Sequence, residues 1–230
     1  MGFTQTKRGT GERSDELRTK REILTSYVSN RSPQIMLTGL AIVTILRLFV
    51  GNWGWADLYI VGLTALLIGP VEWALHLYLL HAPEDSFRMQ TLKTGTGHRE
   101  HHLDPHDVGW ILLAGADAFV FQLLIAGWTA AWSLPVLWLS GSAILAPYLT
   151  ALTAAYFSLA HYEWVHLLVH TRYRSKTRYY KRLTTNHRLH HYRNEQYWLG
   201  VTSNLGDRLL RTYPKAKSDV PLSDTARTLA

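Results

Sequence analysis

Residues 57–81 read DLYIVGLTALLIGPVEWALHLYLLH. At 1.5 Å of rise per residue, this apolar run is long enough to cross the ~30 Å hydrocarbon core of a bilayer as one helix. It ends in two histidines, His76 and His81. Ala-Pro-Glu follows at 82–84 and should end the helix near His81. One apolar helix that delivers imidazoles to one membrane face is the unit from which the rest of the chain can be read.

Three more stretches resemble it. Residues 34–51 (QIMLTGLAIVTILRLFVG) form one and 110–128 (WILLAGADAFVFQLLIAGW) another. A fourth lies within 132–160 and runs into HYEWVHLLVH at 161–170. Only a few residues around Asn52–Trp55 part the first pair, and barely a turn parts the third from the fourth. The expectation is an all-α integral membrane protein with four transmembrane helices in two hairpins, both termini on one side. Trp53, Trp55, Trp128 and Trp132 then gather at the two turns on the other side, as interfacial aromatics do.

Charge orients the hairpins. Of 24 Lys and Arg residues, only Arg47 lies outside the N-terminal segment, the 81–109 loop and the region from 171 onward. The positive-inside rule assigns that side to the cytoplasm. A net charge of +7 and a pI near 9.7 raise the question of nucleic acid. Residues 172–193 carry eight Lys or Arg and no acid, a run that anionic headgroups already explain. No nucleic-acid partner is expected. Residues 1–32 read as a polar tail with a short interfacial helix around 15–29 and no cleavable signal peptide. Residues 33–213 form the membrane domain, residues 171–198 within it one amphipathic surface helix, and 214–230 a loose polar tail. No dinucleotide fingerprint or P-loop is present.

The chain has no cysteine, which excludes thiolate-ligated haem and cysteine-ligated iron–sulfur clusters. It has 12 histidines, and ten fall into four clusters. These are His76 and His81; His98, His101 and His102; His166 and His170; and His187, His190 and His191. The topology puts all four at the cytoplasmic face. Residues three and four apart share one helix face, so each HxxHH block presents three imidazoles together. His76 and His81, five apart, lie about 140° round an ideal helix and suit two separate ions or a frayed helix end. So many imidazoles exceed the needs of one ion. The economical reading is two metal ions, held by nitrogen and oxygen ligands that suit iron, zinc, copper or manganese.

His161 precedes His170 by nine residues and sits on the other side of its helix, a candidate for an outer-shell or packing role. His106 follows Pro105 and reads as a surface residue. Carboxylates within apolar stretches are costly. Glu72, one turn before His76, and Glu163, three residues before His166, are candidates to accept the second N–H of a ligating histidine, or else to meet interfacial water. Asp117, two turns into the third stretch, is a further candidate.

With the clusters in place, the pattern resembles the fatty acid hydroxylase and sterol desaturase superfamily of membrane non-haem di-iron enzymes. The matching text is HLYLLH (76–81), GHREHH (97–102) with LDPHD after it, HYEWVHLLVH (161–170), NHRLHH (186–191) and the closing YWLGVTSNLGDRLLRTYP (197–214), so the likeness spans roughly residues 60–213. The resemblance implies that His76, His81, His98, His101, His102, His166, His170, His187, His190 and His191 ligate two iron ions, with zinc able to replace iron in isolated protein. It also implies O2-dependent hydroxylation of an unactivated C–H bond in a fatty acyl, sterol or carotenoid-like lipid, or desaturation by the same centre. Two electrons must come from outside, because no flavin, haem or iron–sulfur motif is present. A separate donor (a ferredoxin, a cytochrome b5-like protein or a reductase) is expected at the basic face. The compact length suggests a bacterial cell membrane. A metal transporter or sensor would place ligands near the midplane, and a bis-histidine haem protein does not account for the HxxHH blocks.

Overall fold

Every long apolar stretch is a helix. The computed structural model describes residues 11–229, and among these the only β-type pairing is an isolated bridge between Arg13 and Asp107. The first ten residues of the expected N-terminal tail lie outside the described residues. The tail's interfacial helix is α1 (Lys20–Ser29), opened by a capping box in which Thr19 and Glu22 satisfy each other's backbone N–H. Its buried Ile23 and Tyr27 fix it to the bundle, and the Tyr27 hydroxyl donates to the Ala160 carbonyl at 2.8 Å.

The bundle consists of α2 (Arg31–Val50), α3 (Trp55–Leu75), α7 (Gly115–Leu139) and α8 (Leu145–Val169). Shorter helices lie between and after them: α4 (Phe87–Leu92), α5 (Thr94–Leu103), α6 (Val108–Ile111), α9 (Arg178–Tyr192) and α10 (Leu205–Leu209). Three segments are long and apolar enough to cross a membrane: Arg31–Val50, Trp55–Leu80 and Val108–Leu139. The protein is therefore an integral membrane protein. The expected fourth apolar span, α8, is long but less apolar than these. It packs against α2, α3 and α7 together. Enclosed on three sides, it can carry Thr150, Tyr156, Glu163 and His166 where a lipid-bathed helix needs hydrocarbon.

The second hairpin turns later than expected. No break occurs between Trp128 and Trp132: both lie within α7, their ring centroids 5.9 Å apart. Thr129-Ala130-Ala131 contains two strong helix formers and no breaker. The chain reverses instead at Ser140-Gly141-Ser142, where Gly141 takes φ +64°. The exposed tryptophan next to this turn is Trp138, not Trp128 or Trp132. The helix also starts later, at Gly115, after the short α6 and an extended link.

At the same end of the bundle, Arg47 makes a buried ion pair with Asp57 at 2.7 Å. Its guanidinium also donates to the Thr150 hydroxyl at 2.5 Å and stacks 3.5 Å from the Trp53 ring centroid. The one cation out of place in the charge pattern therefore ties α2, α3 and α8 together.

At the opposite end the chain departs from expectation three times. His76–Leu80 is a π-helical turn, closed by a hydrogen bond from His81 N–H to the His76 carbonyl at 3.0 Å. One extra residue per turn cancels the 140° offset, so the two rings meet with centroids 4.8 Å apart. The amphipathic helix expected over 171–198 is confined to α9, with residues 171–177 irregular before it. Residues 214–229 are not a loose tail. Arg193 donates to the Val220 carbonyl at 2.6 and 2.9 Å, and Val220 and Ala226 are buried. α10 closes on α3 through Gly206, where a Cβ would come within 2.5 Å of the Trp73 Cβ.

Candidate metal centre

Four chain segments bring their histidines to one place. The end of α8 supplies His166 and His170, α5 supplies His101, and α9 supplies His187 and His191. Within this set of five, the donor nitrogens all lie within 4.8 Å of one another. A second set of four, meeting the same limit, comprises His76 and His81 from the π turn, His98 from α5 and His190 from α9. Each HxxHH helix thus divides its imidazoles between two neighbouring nests. His102 belongs to neither set. Its ring stacks on His191 (centroids 4.1 Å apart) and lies 5.1 Å from His190 and 5.2 Å from His81, between the two.

The donor set fits metal ions better than hydrogen bonds. His187 Nε2 lies 2.8 Å from His170 Nε2 and 3.1 Å from His191 Nε2, and His98 Nε2 lies 3.1 Å from His76 Nε2 and 3.0 Å from His81 Nε2. A neutral imidazole has one N–H, and His76 spends its own on the Leu199 carbonyl, so the two contacts of His98 Nε2 cannot both be full hydrogen bonds. Nitrogens each ~2.1 Å from an ion and roughly at right angles would be spaced about 3 Å apart. Other inward nitrogens, including both of His101 and Nε2 of His102, His166 and His190, are buried with no hydrogen-bond partner. Such groups are expensive unless something accepts their lone pairs. Burial, with the neighbouring imidazoles adding to it, holds His98, His101, His187, His190 and His191 well below the ordinary histidine range, and burial brings His102 down to about 3. All six are neutral at pH 7, the form that binds metal.

Backbone carbonyls, not the expected carboxylates, orient the rings. His76 Nδ1–H donates to the Leu199 carbonyl at 2.5 Å, His190 to Tyr197 at 3.0 Å and His102 to Ala226 at 2.6 Å. The Glu72 carboxylate takes its hydrogen bonds from the backbone and a threonine, not from a histidine. It accepts the N–H groups of Val201 and Thr202 and the Thr202 hydroxyl, and so pins the loop that carries Leu199. Asp207 holds the same loop from the other side, accepting from Leu199 N at 2.9 Å and Gly200 N at 2.8 Å. Burial pushes the Asp207 carboxyl up, and these hydrogen bonds oppose it.

Glu163 accepts from the Ser32 hydroxyl and from Leu113 N–H at 2.8 Å, joining α8 to α2 and to the link before α7. Asp117 lines a small cavity beside Glu163 and His166. His161 stacks on Phe157 (6.1 Å, 3°) away from both nests. His106 reaches Ser14 at 3.3 Å, and the Ser14 hydroxyl donates to the His170 carbonyl at 3.0 Å. Sequence reasoning missed Asp207, Tyr197, Leu199 and Ala226. Backbone acceptors leave no side-chain signature, and Asp207 looks like any other acid near a helix start.

Larger openings of two kinds, one apolar and one basic, also adjoin the nests. An apolar slot between α3, α7 and α8, walled by Val71, Leu75, Phe121, Ile125 and Leu159, reaches His76 and Tyr162. A separate cleft carries Arg18, Arg172, Arg174, Lys181 and Arg188, with Thr171 directly after His170 in its wall.

Two histidine nests at the end of an apolar helical bundle define a class of integral membrane protein with an imidazole-rich site suited to metal. The model of the fatty acid hydroxylase family matches residues 60–212, and the chain belongs to that family, a family of oxidoreductases. A solved structure titled full-length Scs7p, with only its hydroxylase domain visible, shares the fold. The TM-score is 0.64 at 20% identity, over 84% of this chain and 68% of that one. No curated protein sequence matches the chain.

Proposed function

We propose that the protein is an O2-dependent di-iron lipid hydroxylase, with four membrane-spanning helices and with both termini and both nests on the cytoplasmic side of a bacterial membrane. The observation that carries this reading is the apolar slot that ends at His76, a ring of the four-histidine nest. Iron held in the nests would supply the oxidising chemistry for an otherwise inert C–H bond; zinc is expected to fill the same imidazoles in isolated protein.

The chain's own residues bind and position. Five histidines form one ligand set, four the other, and His102 stands between them as the tenth candidate. Leu199, Tyr197 and Ala226 fix ring orientation, while Glu72 and Asp207 act through the loop they hold. Phe121, Ile125 and Leu159 would grip a hydrocarbon chain and exclude water, so that one methylene stays beside the nest. Ser158 lines both this slot and a shallow, mostly apolar groove of α2, α3 and α8, which supports access from within the bilayer. The electron pair would come from a separate acidic redox protein at the Arg172–Arg188 cleft.

The test is mass spectrometry of lipids from cells expressing the wild type or His101→Ala, grown under oxygen-18 gas. One lipid class labelled only in the wild type establishes hydroxylation and names the substrate class. A new double bond without label assigns desaturation instead. Identical lipids in both strains, with the donor co-expressed, would reject the oxidase reading.

A further inference from the structure

One opening on the aqueous face differs in charge from the rest. It is a cleft bounded by His81, Glu84, Arg99, Glu195 and, on its outer edge, Thr225 and Leu229 of the C-terminal segment. His81 is the only one of the ten clustered histidines that is not fully buried. Glu195 is 5% exposed, yet no cation pairs with it among the described residues: Oε1 accepts from the Thr225 hydroxyl at 2.6 Å, and Oε2 has no partner. A buried carboxylate oxygen left bare is costly, and a passing cation relieves that cost. The cleft of Arg172, Arg174, Lys181 and Arg188, by contrast, is basic and repels divalent ions.

The segment across the cleft is fastened, not draped. Arg193 and Asn194 hold the carbonyls of Val220 and Pro221, Ser223 N–H donates to the Arg193 carbonyl at 2.8 Å, and Ala226 receives His102. Arg99 bolts the two rims together. It donates to the carbonyls of Ala82 and Leu229 and pairs with Glu84 at 3.7 Å. These C-terminal residues lie beyond the 60–212 match to the family.

We propose that this cleft is the port through which a divalent metal ion reaches the four-histidine nest: Glu195 receives the ion and hands it to His81, and residues 220–229 close behind it. The inference rests on the reading that the nests hold metal. Thr225 links the two parts, because its hydroxyl occupies Glu195 in the closed state and must leave before an ion can bind there.

The test uses the full-length protein in detergent, stripped of metal and mixed with zinc(II) while a zinc-responsive dye follows uptake. Glu195→Gln should load about tenfold more slowly, as loss of a steering charge implies, yet reach the wild-type zinc content. Thr225→Val should release zinc to excess chelator several-fold faster than wild type. Wild-type uptake kinetics in Glu195→Gln would overturn the port. A lowered final zinc content in that variant would do so too, by making Glu195 a permanent ligand. Unchanged release from Thr225→Val would overturn the closing segment. A wild-type protein that takes up no zinc would reject the metal reading of the nests, a separate result, and the port with it.

Discussion

His101 and His161 show how differently two histidines of one chain are used. His101 is buried with both ring nitrogens unpartnered inside the five-histidine nest, whereas His161 faces Phe157 on the outer side of α8. His101→Ala should abolish turnover and lower metal content, and His161→Ala should leave metal content unchanged. Metal analysis of the two purified variants checks this, and equal losses would break the assignment. Acid acts on the same groups. An unfolded histidine titrates near ~6.5, and the buried rings of α5 and α9 titrate well below that, so on acidification the unfolded chain takes up protons first. Their contribution to stability is present above about pH 6.5 and is lost as pH falls. The unfolding temperature of metal-free protein should drop between pH 7.5 and 5.5; a flat profile there would contradict the burial of these rings. At this scale the sequence was highly legible, because imidazoles at helical spacing are rare and mark themselves. Glu72 was legible as costly but not in its task, since its partners are the N–H groups of Val201 and Thr202, which no residue type announces.

Single helices carry the next kind of information. The spacing of His76 and His81 looks wrong for an α-helix and is right for a π turn, a local geometry that one sequence does not declare. The register makes an unusual prediction. Inserting Ala after Tyr78 should swing His81 off the nest and lower metal content, while deleting Tyr78 restores α spacing and should be milder. The opposite order, read by metal analysis, would discard the register argument. The late turn after α7 teaches the same lesson. The apolar runs, with tryptophans at their ends, suggest a turn at 128–132, yet backbone chemistry sets it later, through helix-forming alanines at 130–131 and a left-handed glycine at 141. The apolar run within 132–160 suggests a fourth span, and most of it belongs to the end of α7 and the start of α8. What the sequence did not show was that three neighbours would enclose α8 and relax the demand for hydrocarbon.

Across the whole molecule, two opposite ends are held by different physics. The far end is closed by Arg47, 2% exposed and paired with Asp57. Arg47→Ala leaves a buried carboxylate unpaired and should cost about 3–5 kcal/mol, whereas Arg47→Met with Asp57→Leu should recover most of that. Thermal unfolding in detergent measures both; a double variant as unstable as the single would show that packing, not charge, is lost. At the basic cleft, neutralising Arg174, Lys181 and Arg188 should slow turnover with the natural electron donor and spare metal content. Parallel loss of both would count against docking there. The helical membrane architecture could be read from apolar runs and the sidedness of charge, but the packing of residues 214–229 could not, because its fastenings are mostly backbone carbonyls. Finally, neither nest is built from one stretch of chain: α5 and α9 each contribute to both. Two bound ions would therefore staple the π turn, α5, α8 and α9 into a single mechanical unit. Removing either ion would loosen helices the other depends on, so the pair should be gained and lost cooperatively, as a clasp with two rivets.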